Sequence, residues 1–182
     1  KVQLNQFYGI EINNFAVSVA KTALWIAESQ MLEETKDIVY TNIDFLPLKS
    51  YTNIVEGNAL EIDWETVVPK HKLSYIIGNP PFLGYSLQSP KQKADLLSVY
   101  VDENSKPYKT AGKIDFVSAW YFKASLLMQG SSIRTALVST NSITQGEQVS
   151  SVWKPLYERF GIHIDFAYRT FKWNSEAKDK AA

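Results

Sequence analysis

Apolar positions along the chain come in short runs whose period changes from one to the next. Gln6 to Ile12, QFYGIEI, is a β-rich run, and Asn13 and Asn14 behind it can cap a helix from about Phe15 to Met31. That helix is apolar on most sides, which predicts that it is well covered. Thr52 to Glu56, TNIVE, reads as a second strand closed by Gly57 and Asn58, and Leu73 to Ile77, LSYII, as a third closed by Gly78. Both runs are continuous rather than alternating, as expected for a parallel sheet buried on both faces. In the run from Ile114 to Met128 the apolar residues Phe116, Val117, Trp120, Tyr121, Ala124, Leu127 and Met128 form the stripe of an amphipathic helix. Arg134 to Ser139 reads as a fourth strand. Val149 to Phe160 reads as helical as far as Pro155, and Ile162 to Tyr168 as a fifth strand. Alternating strands and helices predict a doubly wound α/β domain with right-handed crossovers.

Between these elements, residues 86–112 turn polar, with Lys91, Lys93, Lys106 and Lys109 among Pro90 and Pro107. This predicts a long inserted loop carrying at most a short helix, and loops of such length are often functional. At 182 residues the chain suits a single domain, 1–182. The longest apolar run, FAVSVAKTALWIA, is broken by Lys21 and too short to span a bilayer, so no membrane partner is expected. Nineteen basic residues balance nineteen acidic ones, so any affinity for nucleic acid has to be local or supplied by another domain. The chain has no cysteine, which removes disulfides and fits a cytoplasmic location. With only His71 and His163 in addition, no metal site is expected.

Ligands of open α/β sheets sit beyond the carboxyl ends of the strands. Glu11 closes the first strand, where a carboxylate can accept hydrogen bonds from both hydroxyls of a ribose; an exposed strand-end glutamate is the plainer reading. Asn58 closes the second, where its amide can pair with an adenine edge or simply serve a Gly-Asn turn. The third end is Asn79-Pro80-Pro81-Phe82. Two prolines stiffen the backbone, so the Asn79 amide oxygen and the Pro80 carbonyl can both accept from one planar amine. Such acceptors draw the nitrogen lone pair out of conjugation. Phe82 can stack on the ring bearing the amine and stabilise the positive charge that develops during attack. No general base is needed, because the nitrogen becomes acidic only after alkylation.

The whole chain resembles a Rossmann-like, S-adenosylmethionine-dependent amino-methyltransferase, and NPPF resembles the catalytic tetrapeptide of DNA adenine-N6 methyltransferases. The runs FLPLKSYTNIVEGNALEIDW, LSYIIGNPPFLGY and FAYRTFKWNSEAK resemble the methylase segment of large bacterial restriction-modification fusion enzymes. The resemblance implies that Glu11 holds the cofactor ribose and Ile12 packs on its adenine, while Asn58 holds the adenine amine and Ala59 lines that pocket. It implies that Asn79, Pro80 and Phe82 bind a target adenine flipped from double-stranded DNA, with Phe171 as a second aromatic beside the flipped base. A recognition domain, and room for a nuclease domain, would lie elsewhere in the parent chain.

The family also has a glycine-rich loop after a central first strand, and a final hairpin strand. All eight glycines here are isolated, with no G-x-G or G-x-x-G pair. The expectation is therefore an incomplete domain that by itself binds cofactor poorly or not at all and is inactive. An NPP-aromatic tetrapeptide also serves methyltransferases of protein glutamine N5 and of guanine amines in RNA. A non-catalytic, methyltransferase-like DNA-binding module is a further alternative.

Overall fold

The computed structural model describes residues 3–36, 38 and 53–168. Its contacts divide the chain into two compact units, Lys1–Pro69 and Lys70–Ala182.

In the first unit, strand β1 (Gly9–Glu11) pairs in parallel with strand β2 (Ile54–Glu56), with Glu11 opposite Glu56. Helix α1 (Asn14–Lys36) packs on both strands. Its start follows from local hydrogen bonding, because the Asn13 side chain accepts from the Ala16 amide at 3.1 Å. It runs past Met31 because Leu32, Glu33, Glu34 and Lys36 are strong helix formers with no proline or glycine among them. The expectation that α1 is well covered is corrected. Of its described side chains only Val17 is buried, while Phe15, Val19, Ile26 and Met31 are exposed, since the two short strands cover one side of the helix. After β2 the chain turns through Gly57 at φ +155°, where a Cβ would stand 2.5 Å from Ile62 Cδ1. Helix α2 (Trp64–Val67) follows, capped by the Asp63 carboxylate on the Glu65 amide at 3.0 Å.

In the second unit, strands β3 (Tyr75–Gly78) and β4 (Arg134–Leu137) form a parallel pair with Ile76 opposite Thr135 and Gly78 opposite Leu137. Parallel pairing agrees with the sequence pattern, but burial on both faces does not. Tyr75 and Ile77 are 68% and 82% exposed, so one face of β3 is uncovered among the described residues. The predicted inserted loop contains helix α3 (Pro90–Val99), started by a reciprocal cap between Ser89 and Gln92 with Pro90 in the first turn. Leu96, Val99 and Tyr100 from this segment lie in the core.

Helix α4 (Ser118–Met128) departs from the predicted stripe. Ser118, Ala119, Phe122, Ala124, Ser125 and Leu127 are all buried, which places buried residues around most of the helix rather than along one face. Phe122, outside the predicted stripe, is fully buried. The predicted fifth strand is corrected as well. Residues 161–168 have no regular structure, and Ile164, Phe166 and Tyr168 are exposed, because β-forming composition yields a strand only where a partner edge is available.

Pro155 does not end the last helical segment. A π-helical turn, Val149–Trp153, runs directly into helix α5 (Lys154–Glu158), with Pro155 in its first turn. Proline has no N–H, so the Ser151 carbonyl four residues earlier lacks its α-helical donor. The buried Tyr100 hydroxyl takes that place, donating to Ser151 O at 2.6 Å and lying 3.2 Å from Val152 O. Burial, and secondarily the neighbouring Tyr108, push the Tyr100 phenol well above its ordinary value. Tyr100→Phe removes the donor and should cost about 1–3 kcal/mol, read as a lower denaturation midpoint at pH 7.5. Since the folded state raises this pKa, its contribution is intact below pH ~10 and fades as pH climbs towards the folded value. The variant should therefore lose less stability than the parent protein between pH 10 and pH 12.

Candidate active site

The carboxyl ends of β1 and β2 bring four predicted residues together in the first unit. Glu11 ends β1, and its carbonyl accepts from the Gly57 amide at 2.9 Å, which sets Asn58 just beyond the adjacent strand end. Glu11 Oε1 accepts from the Asn13 amide at 2.9 Å, so the half-buried carboxylate is held by the turn into α1. Ile12 is exposed beside it. Asn58 performs the turn function, one of the two readings its position allows. Its Oδ1 accepts from the Leu60 amide at 3.0 Å and its Nδ2 donates to Glu61 at 3.2 Å. The Ala59 carbonyl accepts from Trp64 Nε1 at 2.8 Å, which fixes this loop against α2. A carboxylate with a second oxygen to offer and an adjacent exposed aliphatic chain suit the ribose and base of an adenosine. The chemistry of these residues therefore fits the implied cofactor.

In the second unit, β3 runs straight into Asn79-Pro80-Pro81-Phe82. The Asn79 side chain is exposed and makes no hydrogen bond among the described residues, so its amide oxygen is available as an acceptor. Pro80 is buried, which seats the tetrapeptide on the unit, and the Phe82 ring is 37% exposed. Two bonds pin the backbone just after it, Leu83 N to Pro81 O at 3.1 Å and Phe116 N to Leu83 O at 2.9 Å. Phe171 lies outside the described residues.

Sequence reasoning missed Asp115. It is only 3% exposed and sits where the loop after β3 meets the loop after β4. The IDF run that opens the α4 segment suggests helix packing, and nothing local marks the aspartate. Its partners, Tyr85, Thr140 and Ser142, lie 25 to 30 residues away. No trio of His, Cys, Asp and Glu placed to hold a metal occurs among the described residues, and no described helix is long and apolar enough to cross a membrane.

Comparison with known proteins covers the chain from end to end. It is 44% identical to DNA methyltransferase A of Bacillus subtilis (strain 168), across all of this chain and 20% of that protein. Among solved structures it resembles MmeI, a type IIL restriction-modification enzyme determined in complex with DNA. The identity is 47% and the TM-score 0.89, over 98% of this chain and 23% of that one. The chain thus spans about a fifth of the length of the relatives it matches. The family model described as the MmeI DNA-methyltransferase domain matches residues 1–182, and the chain belongs to that family.

Proposed function

We propose that this domain is the methylase of a restriction-modification enzyme, moving a methyl group from S-adenosylmethionine to the N6 amine of an adenine flipped out of double-stranded DNA. The observation that carries this reading is the end of β3, where Asn79 offers an amide oxygen that makes no hydrogen bond among the described residues, followed by a buried proline and a partly exposed ring. The Asn79 oxygen and the Pro80 carbonyl accept the two N–H bonds of the amine and turn its lone pair towards the methyl donor. Phe82 stacks on the base and stabilises the cationic product before a proton leaves for solvent.

When bound, the cofactor supplies an electrophilic methyl group on a sulfonium. Glu11 would hold its ribose hydroxyls, Ile12 would pack on its adenine, and Asn58 and Ala59 would border the adenine edge. We read the two parallel strand pairs as parts of a Rossmann-like methyltransferase fold. Lys91, Lys93, Lys106 and Lys109 are exposed on the segment from 86 to 112 and suit the phosphate backbone of DNA, a sequence-independent contact weakened by salt. The greater length of the relatives leaves room for a recognition domain and a nuclease in the same parent, acting in the cytoplasm.

The full-length protein, given labelled S-adenosylmethionine and unmethylated plasmid DNA, should produce N6-methyladenine in a nucleoside digest. Label appearing instead in N4-methylcytosine, in RNA or in protein would overturn the choice of substrate.

A further inference from the structure

We propose that Asp115 is a positioning residue for methyl transfer, cross-bracing the loops that leave the carboxyl ends of β3 and β4 so that the NPPF backbone holds one conformation. The inference rests on the proposed role of Asn79, Pro80 and Phe82 and goes beyond it to the residue that acts through them.

The carboxylate spends both oxygens on these two loops. Oδ1 accepts from the Tyr85 amide at 3.2 Å, three residues after Phe82. Oδ2 accepts from the Thr140 hydroxyl at 3.2 Å and from the Ser142 hydroxyl, and those two hydroxyl oxygens lie 2.9 Å apart. The backbone around Asp115 continues the brace. Phe116 N donates to Leu83 O at 2.9 Å, the buried Gln88 donates to Ile114 O at 2.9 Å, and Asp115 N donates to the Gln148 side chain at 3.0 Å.

Burying an ionisable carboxyl is costly unless its oxygens are hydrogen-bonded, and a short helix start needs no such group for folding. What the arrangement accomplishes is specific. β3 and β4 are neighbouring parallel strands whose ladder runs out at Gly78 and Val138, and beyond that point no backbone pairing among the described residues ties their loops together. Asp115 supplies the tie through Tyr85, in the loop that follows Phe82. A planar amine must meet two acceptors and a ring together, so displacement of a few tenths of an ångström at this loop removes transition-state contacts.

The test uses the full-length enzyme, with DNA methylation measured under saturating and subsaturating conditions. Asp115→Ala should lower kcat about 30-fold or more while the KM values for S-adenosylmethionine and DNA change less than about threefold. Asp115→Asn keeps an acceptor for Tyr85 N and can donate to the hydroxyls, and should fall between Asp115→Ala and the parent. In a Phe82→Ala background, where the ring no longer contributes, Asp115→Ala should cost less than about threefold.

Equal losses in both backgrounds would reduce Asp115 to a purely structural group and overturn the inference. So would an Asp115→Asn enzyme with unchanged kcat. If Asp115→Ala fails to fold, the Asp115→Asn and Phe82→Ala cycle decides alone. Asn79→Ala separates the two levels. Full methylation by that variant sinks the proposed catalytic site itself, whereas its loss beside a normal Asp115→Asn enzyme sinks only the positioning role.

Discussion

Asn79→Ala in the full-length protein is expected to abolish methyl transfer, by about 10³-fold or more in kcat, while DNA affinity stays within about threefold of the parent. The size follows from what the side chain is asked to do. It is one of two acceptors for the amine, and its contribution grows as positive charge builds on nitrogen, so it is larger in the transition state than in the ground state. Losing it should therefore appear in kcat rather than KM. The fold should not suffer, since the amide is exposed and makes no hydrogen bond among the described residues. Asn79→Asp is the sharper companion. A carboxylate keeps the acceptor but has no N–H, so a role as acceptor alone predicts measurable residual activity. Single-turnover methylation and a DNA-binding titration check both variants, and wild-type turnover by Asn79→Ala would remove the assigned role.

Sequence disclosed the strand ends better than it disclosed what surrounds them. β1, β2 and β4 fall within their predicted runs and β3 extends one residue past its run to include Gly78, because continuous apolar stretches closed by Gly57 and Gly78 are local signals. The same signals place Glu11, Asn58 and NPPF at strand ends, and the pairing of β1 with β2 makes the first two ends neighbours. Ile162 to Tyr168 has equal β-forming character yet no strand, since pairing depends on an edge that residues close in sequence cannot reveal. Polar composition made residues 86–112 read as a long inserted loop with room for a short helix, and gave no sign that the segment enters the core. The helix there is started by Ser89, Pro90 and Gln92, and Leu96, Val99 and Tyr100 acquire their burial from α4 and the π-helical turn. Asp115 was illegible for the same reason, its function being set by hydroxyls on another loop.

The largest effect on stability is expected from Phe122→Ala, at about 3–5 kcal/mol. Phe122 is fully buried at the centre of an aromatic cluster, with ring centroids 4.4 Å from Tyr100, 5.0 Å from Phe160 and 6.0 Å from Tyr108. The Phe160 and Tyr108 rings meet it edge-on, and the Arg159 guanidinium lies 5.6 Å from its centroid. Truncation removes the side-chain surface and leaves a cavity whose walls come from the segment that follows α3 and from the turn after α5. These walls cannot collapse freely, because Tyr100 is fixed by its hydroxyl to the Ser151 carbonyl and Arg159 donates to the Val101 carbonyl. Hydrogen exchange on the full-length protein resolves the effect locally. Amides of α4 that exchange through opening of this unit should do so roughly 10²–10⁴ times faster in the variant. Phe166→Ala is the contrasting substitution. That ring is 77% exposed, so its loss should leave α4 exchange within about twofold of the parent. Similar exchange in both variants would mean that the cluster around Phe122 is not the core of this unit. A large effect confined to Phe122→Ala would locate the unit's stability in a residue outside the apparent apolar stripe of its own helix.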